Sequence, residues 1–236
     1  LSLNDSALVY EPEKSQALGL GFRCGFLGLL HMDIVQERLE REYNLNLIIT
    51  SPSVSYRVTT SGEKLMIDNP AAFPDPATIT DIEEPMVNLE IVAPADYVGG
   101  IMKLVQDGRG HMENIQYLEP TRVLITFKAP LASIITDFYD DLKSITSGYA
   151  SMNYQVNGYK SEDLVKMDIL VAGEKVDAFS SIVVRSDSHR LGEALLLKLK
   201  EIIPRAQFPI ALQAAIGAKI AARETIAAFR KDVIGY

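Results

Sequence analysis

The sequence has one cysteine, three histidines and no tryptophan, and no apolar run approaches the ~18 to 20 residues a bilayer-spanning helix needs. A single cysteine excludes an internal disulfide and a multi-cysteine zinc site, so any metal would have to be held by histidines and carboxylates. His31, His111 and His189 lie far apart, without HxxxH-type spacing. The first residues carry no basic-then-apolar signal pattern, and a soluble intracellular protein is expected. What is present is ordinary globular material: 236 residues, 47% apolar and 23% charged, enough for more than one domain.

The net charge of −8 argues against a general nucleic-acid binder, but it is unevenly spread. Residues 1–159 hold 11 Lys and Arg against 21 Asp and Glu, whereas residues 160–236 hold 12 against 10. Toward the end Arg205, Lys219, Arg223, Arg230 and Lys231 face only Glu224 and Asp232. Two readings stay open on composition: an anionic partner at this end, or a solvated helix face.

Three segments follow from periodicity and turn residues. In the first, ALVYE and ALGLGFRC read as strands and LGLLHMDIVQERLEREYN as a helix with Leu27, Leu30, Ile34, Val35 and Leu39 on one face. LNLIITSPSVSYRVTT is strand-like, and TSGE turns it into KLMID as a hairpin. The proline-dense NPAAFPDPATITDIEEP reads as an interdomain joiner that cannot continue a central strand. In the second, MVNLEIVAP, ADYVGGIMKLVQDGRG, HMENIQYLE, TRVLITFKAP, LASIITDFYDDLKSITSG and YASMNYQVNGY spell β-α-β-β-α-β, the ferredoxin-like arrangement with both helices on one face. The first segment looks like the tail of the same arrangement, lacking its opening strand and helix. In the third, two strands flank AGEK, and a helix over SDSHRLGEALLLKLKEIIP can be capped by Ser186, Asp187 or Ser188. QFPIALQAAIG is a strand, and AKIAARETIAAFRKDVIGY a last helix packing through Ala218, Ile220, Ala221, Ile226 and Phe229. The fold class is therefore α+β: tandem ferredoxin-like domains followed by a small α+β domain, divided at 1–83, 84–159 and 160–236.

The most suggestive stretch chemically is GLGFRCGFLGLLHM. Its glycines do not match GxxxxGK[ST] or GxGxxG, so a nucleotide cradle is disfavoured. Cys24 and His31 invite a nucleophile–base reading, but no third residue orients the base, and a lone cysteine between phenylalanines is more often a small buried apolar group. A tight strand-to-helix joint is favoured, with Arg23 outward and His31 a satisfied boundary histidine. Arg109 and His111 in DGRGHM flank a helix end where glycines let amides approach a phosphate, with an ordinary cap as the rival. Arg185, His189 and Arg190 in RSDSHR surround a helix N-terminus, with the same two readings. For Tyr149, Tyr154 and Tyr159, core packing outranks base stacking.

The stretch from ALGLGFRCGFLGLLHMDIVQERLEREYN to SPSVSYRV resembles domain III of the LepA family of translational GTPases, also called elongation factor 4. EPMVNLEIVAPADYVGGIMKLVQDGRGHMENIQYLEP through SGYASMNYQ resembles that family's counterpart of elongation factor G domain V. DLVKMDILVAGEKVDAF through QAAIGAKIAARETIAAFRKDV resembles the C-terminal domain peculiar to LepA. The short joiner, where elongation factor G inserts a whole domain, points the same way.

The resemblance implies a ribosome-bound factor whose GTPase domain, with GTP and Mg, lies outside this chain. It implies partners in ribosomal RNA, ribosomal proteins and transfer RNA, and a role in back-translocation and fidelity under stress. No catalytic residue, metal or cofactor is expected within these residues, nor any DNA contact. A monomer is expected, in the cytoplasm, with at most peripheral association with the inner face of the cell membrane. Where the family tends to carry two basic residues before a glycine, Gly108-Arg109-Gly110 leaves one, and the lysine-rich tail is absent. The RNA-contact candidates are Arg109, His111, Arg185, His189, Arg190, Arg205, Lys219, Arg223, Arg230 and Lys231. The rival from another class is a pair of ferredoxin-like domains that bind a regulatory small molecule. A complete enzyme lacks any convergent acid, base or nucleophile set.

Overall fold

A computed structural model describes residues 5–15, 19–50 and 52–229. In chain order the strands and helices are β1 (Val9–Ser15), β2 (Gly19–Gly25), α1 (Leu29–Tyr43), β3 (Tyr56–Thr60), β4 (Lys64–Ile67), β5 (Ile79–Pro94), α2 (Val98–Asp107), β6 (His111–Glu119), β7 (Arg122–Pro130), α3 (Leu131–Ile134), α4 (Phe138–Ile145), β8 (Ser151–Ser161), β9 (Leu164–Val171), β10 (Glu174–Val184), α5 (Ser188–Ile202), β11 (Ile210–Ile216) and β12 (Lys219–Ile226). They fall into two compact units, one of residues 1–9, 25–69 and 74–162, the other of residues 10–24, 70–73 and 163–236.

The first unit is built on one antiparallel sheet. β5 pairs with β8 along one edge and with β7 along the other, and β6 lies outside β7. The order β8-β5-β7-β6 with helices after β5 and β7 is the ferredoxin-like βαββαβ arrangement. The odd-numbered residues Val87, Leu89, Ile91 and Ala93 of β5 and Val123, Ile125, Phe127 and Ala129 of β7 bury against Ile101 and Val105 of α2, Ile134 of α3, and Phe138 and Leu142 of α4. Strand period two and helix period 3.6 thus meet in a single core, with α2, α3 and α4 on one face. The β3–β4 hairpin extends the sheet by pairing β3 with the first residues of β5.

Several expectations change here. The proline-dense joiner shortens, because Ile79–Pro85 belongs to β5. Pro85 is tolerated because it sits where pairing to β3 has ended at Glu83 and pairing to β7 begins at Met86, and where the β8 register shifts. The helix expected over 131–148 is split into α3 and α4 at residues 135–137, which include the β-branched Ile135 and Thr136. Among the described residues of 45–60, Tyr56–Thr60 are the strand. The buried side of α1 runs through Val35, while Leu27, Leu30 and Ile34 are exposed.

In the second unit the antiparallel order is β10-β9-β11-β12. One face of the sheet, through Met167, Ile169, Leu212, Ala214, Ala222 and Ile226, packs on Leu196 and Leu199 of α5. Gly192 makes that approach possible: a Cβ there would lie 2.8 Å from the Ala214 Cβ and 3.3 Å from the Met167 Sδ. β9 and β10 are joined by a two-residue turn in which Ala172 (φ 53°) and Gly173 (φ 86°) are both left-handed, the twist that antiparallel hairpins favour.

The expected last helix is a strand over its first residues, Lys219–Ile226. Gly217, at φ 58°, closes a tight turn from β11, and pairing to β11 makes these residues the edge strand of the sheet. Of the five residues expected to pack, Ile226 is buried, whereas Ile220 and Phe229 are exposed; Ala222 takes the other core position. None of the three expected caps of α5 bonds its first turn through a side chain. A 3-10 turn over Arg185–Asp187 precedes the helix, and Ser188 Oγ donates backward to the Arg185 carbonyl at 2.7 Å.

Candidate nucleic-acid interface

The glycine-rich stretch is a joint. β2 runs into α1 within three residues, and the Leu27 N–H donates to His31 Nδ1 at 3.1 Å. Nδ1 is therefore unprotonated, and Nε2–H donates to Asp5 Oδ2 at 2.9 Å. Both ring nitrogens are occupied, and the hydrogen bond from His31, with that from the Ala7 N–H, holds the Asp5 carboxyl below its ordinary value. Burial pushes the Cys24 thiol up, the opposite of what an activated nucleophile needs. Arg23 is paired with Glu13 through Nε and Nη2 at 3.2 and 2.9 Å. Among the described residues no group of His, Cys, Asp and Glu is placed to hold a metal ion, and no helix is long and apolar enough to cross a membrane.

The cationic candidates divide by what surrounds them. Arg109 occupies the turn between α2 and β6 at φ 63°. Its Nη1 and Nη2 donate to Glu84 Oε1 and Oε2 at 2.6 and 2.8 Å. Glu84 is 1% exposed and Arg109 27%, so this is an end-on bidentate pair anchored from the inside. The turn's backbone amides face inward: those of Gly108, Arg109 and Gly110 donate to the carbonyls of Leu104, Gln106 and Val105. The amide cradle expected here is thus used up as a helix cap, and any phosphate contact rests on side chains. His111 is exposed at the start of β6, opposite Lys128.

Arg185 pairs with Asp163 through Nε at 3.0 Å, both groups more than half exposed, and such surface pairs contribute roughly 0–1 kcal/mol. His189 and Arg190 stand 3.9 Å from Glu193 and Asp187 on the exposed side of α5, too far for a hydrogen bond. Arg205, Lys219 and Arg223 are exposed and form no ion pair among the described residues. Arg223 lies opposite Gln213 and Lys219 opposite Ile216, three residues apart on β11, so they project from opposite faces of the sheet. Arg230 and Lys231 lie outside the described residues. Tyr154 packs against the core, Tyr159 lies under the Arg57 guanidinium at 4.0 Å, and Tyr149 is exposed.

Two residues the sequence did not single out shape this region. Glu84 is the buried acid of β5, between the buried Ile82 and Met86, and the only signal for it was the doubled Glu83-Glu84 before Pro85. Tyr56, beside Glu84, has its phenol pushed up to about 12 by burial and by the carboxylate. In the second unit Asp168 is buried under Lys175 Nζ at 2.6 Å and Ser180 Oγ at 2.8 Å, with Lys166 at 3.7 Å. Burial raises its carboxyl, but these donors and charges outweigh that and lower it.

The described residues thus form a ferredoxin-like unit and a four-stranded sheet under one helix, with cations on exposed elements. Residues 81–170 match the family model for the elongation factor G C-terminus, and residues 171–235 match that for the C-terminus of GTP-binding protein LepA. The chain is 57% identical over 235 residues to elongation factor 4 of Symbiobacterium thermophilum, and 56% identical over 235 residues to those of Alkaliphilus oremlandii and Bacillus cytotoxicus. Each alignment covers 99% of this chain and 39% of the relative, so the chain spans about two fifths of their length. The chain belongs to the LepA, or elongation factor 4, family and corresponds to its C-terminal part. That sets aside the regulatory small-molecule reading.

Proposed function

We propose that these residues are the ribosome- and transfer-RNA-contacting part of a factor that promotes back-translocation and fidelity under stress. GTP hydrolysis, with its Mg ion, belongs in this reading to the part of the protein beyond these residues, and the factor works as a cytoplasmic monomer. The division into modules 1–83, 84–159 and 160–236 is proposed on the same footing. The observation that carries the reading is the set Arg205, Lys219 and Arg223: exposed, without carboxylate partners among the described residues, and on and beside the β11–β12 hairpin of the LepA-matched segment. Unpaired cations on a structured hairpin offer phosphate contacts that displace counterions.

The test is co-sedimentation with 70S ribosomes across a salt series. R205E/K219E/R223E should weaken binding and reduce the log–log salt slope by roughly 0.7–0.9 for each phosphate no longer neutralised. Affinity and slope equal to those of the unaltered chain would overturn the reading.

A further inference from the structure

We propose that Glu84 is a positioning residue that holds the Arg109 guanidinium edge-out, so that its free side engages one RNA phosphate; this rests on the functional reading above. A guanidinium has five N–H donors in one plane. Glu84 takes the inner N–H of Nη1 and of Nη2, at 2.6 and 2.8 Å. Left over is the side edge, Nε–H together with an outer Nη N–H; the Glu162 carboxylate adds its charge to the guanidinium's surroundings, but the hydrogen bonds described for the guanidinium all go to Glu84. That edge is itself a two-pronged fork suited to phosphate oxygens. Because the carboxylate is 1% exposed and the guanidinium 27%, the pair has a fixed inner half and a wet outer half.

Three further observations support the assignment. The amides of the turn are all spent on the helix cap, so nothing else in the backbone there can bind an anion. The left-handed φ of 63° at Arg109 belongs to that helix cap, so the backbone from which its side chain reaches Glu84 is set by the cap hydrogen bonds. Arg185 provides the contrast: its carboxylate partner is itself more than half exposed, so that pair has no buried inner half. Sequence alone made Arg109 a lone cation at a helix end, whereas the structure makes it an oriented one.

The proposal makes a prediction whose sign differs from simple electrostatics. Glu84→Gln removes a negative charge near the phosphate site, which by Coulomb's law should tighten binding to RNA. If Glu84 positions Arg109, E84Q should instead weaken binding of the 236-residue chain to 70S ribosomes by about tenfold, the loss expected for a charge-assisted bond. It should also lower the salt slope by about 0.7–0.9, and R109A should do the same. In an R109A background E84Q should have no further effect. R109K keeps the charge but loses the fork and should bind like R109A; it decides the matter if circular dichroism shows E84Q to be unfolded. Wild-type or tighter binding by folded E84Q, or wild-type binding by R109K, overturns the proposal. If neither E84Q nor R109A matters while R205E/K219E/R223E weakens binding, the positioning role falls and the functional reading stands. If none of the three weakens it, both fall.

Discussion

Replacing Gly192 by alanine probes the second unit's core at its tightest point. The added Cβ would lie 2.8 Å from the Ala214 Cβ, closer than real Cβ atoms essentially ever come, and 3.3 Å from the Met167 Sδ. Ala214 has no side chain to rotate away, so either α5 lifts or β11 bends. Overpacking of this kind costs about 1–3 kcal/mol. Against it stands the intrinsic preference of a helix for alanine over glycine, about 1 kcal/mol. Gly99 supplies the matched control: it is also helical and exposed, and a Cβ there meets nothing within 4 Å. Gly99→Ala should therefore stabilise by up to about 1 kcal/mol. The propensity gain is common to both substitutions, so the difference in their urea unfolding free energies isolates the steric cost, about 1–3 kcal/mol. Equal stabilities for the two variants would refute the close approach of α5 to β11.

The turn Ala172-Gly173 forces a β-carbon into the left-handed region, so Ala172→Gly should stabilise the second unit by up to about 1 kcal/mol, read in the same assay. Asp168 has a depressed carboxyl in the folded state, so its stabilising effect is present above the unfolded value near 3.9 and is lost as pH falls through the folded one. Asp168→Asn should thus destabilise at pH 7, by about 1–3 kcal/mol for the lost charged hydrogen bonds, with the penalty shrinking below about pH 4. For Tyr56 the sign is reversed: its neutral form is favoured by folding below the unfolded value near 10, and that contribution disappears as pH rises through about 12. Spectrophotometric titration of the chain against Tyr56→Phe should show the missing phenol ionising near 12; ionisation near 10 would mean that Tyr56 is not buried beside Glu84.

The alternation of VNLEIVA and RVLITFKA, read against the helical spacing of Ile101 and Val105, made the βαββαβ unit legible before any coordinates. The short glycine-containing turn between β9 and β10 did the same for their hairpin. By contrast, AKIAARETI is rich in helix-forming residues, and only its pairing to β11 across the Gly217 turn makes it a strand, so neighbours overrode local propensity. At α1 the helix forms as its pattern suggests, but Leu27 just before it and Leu30 in its first turn, which read as a buried face, lie exposed.

At the candidate interface the residue types were visible and their environments were not. Composition identified every cation but could not distinguish Arg109, pinned by a buried carboxylate, from Arg223, which has no carboxylate partner among the described residues. The sequence by itself determined the βαββαβ order of the second segment and the family, because periodicity, turn residues and motif identity are local along the chain. The tertiary structure alone decided which charges cancel, since Glu84 and Arg109 are separated by 25 positions. An ion pair depends on distance and solvent exclusion in space, and neither quantity is written in the spacing of the residues.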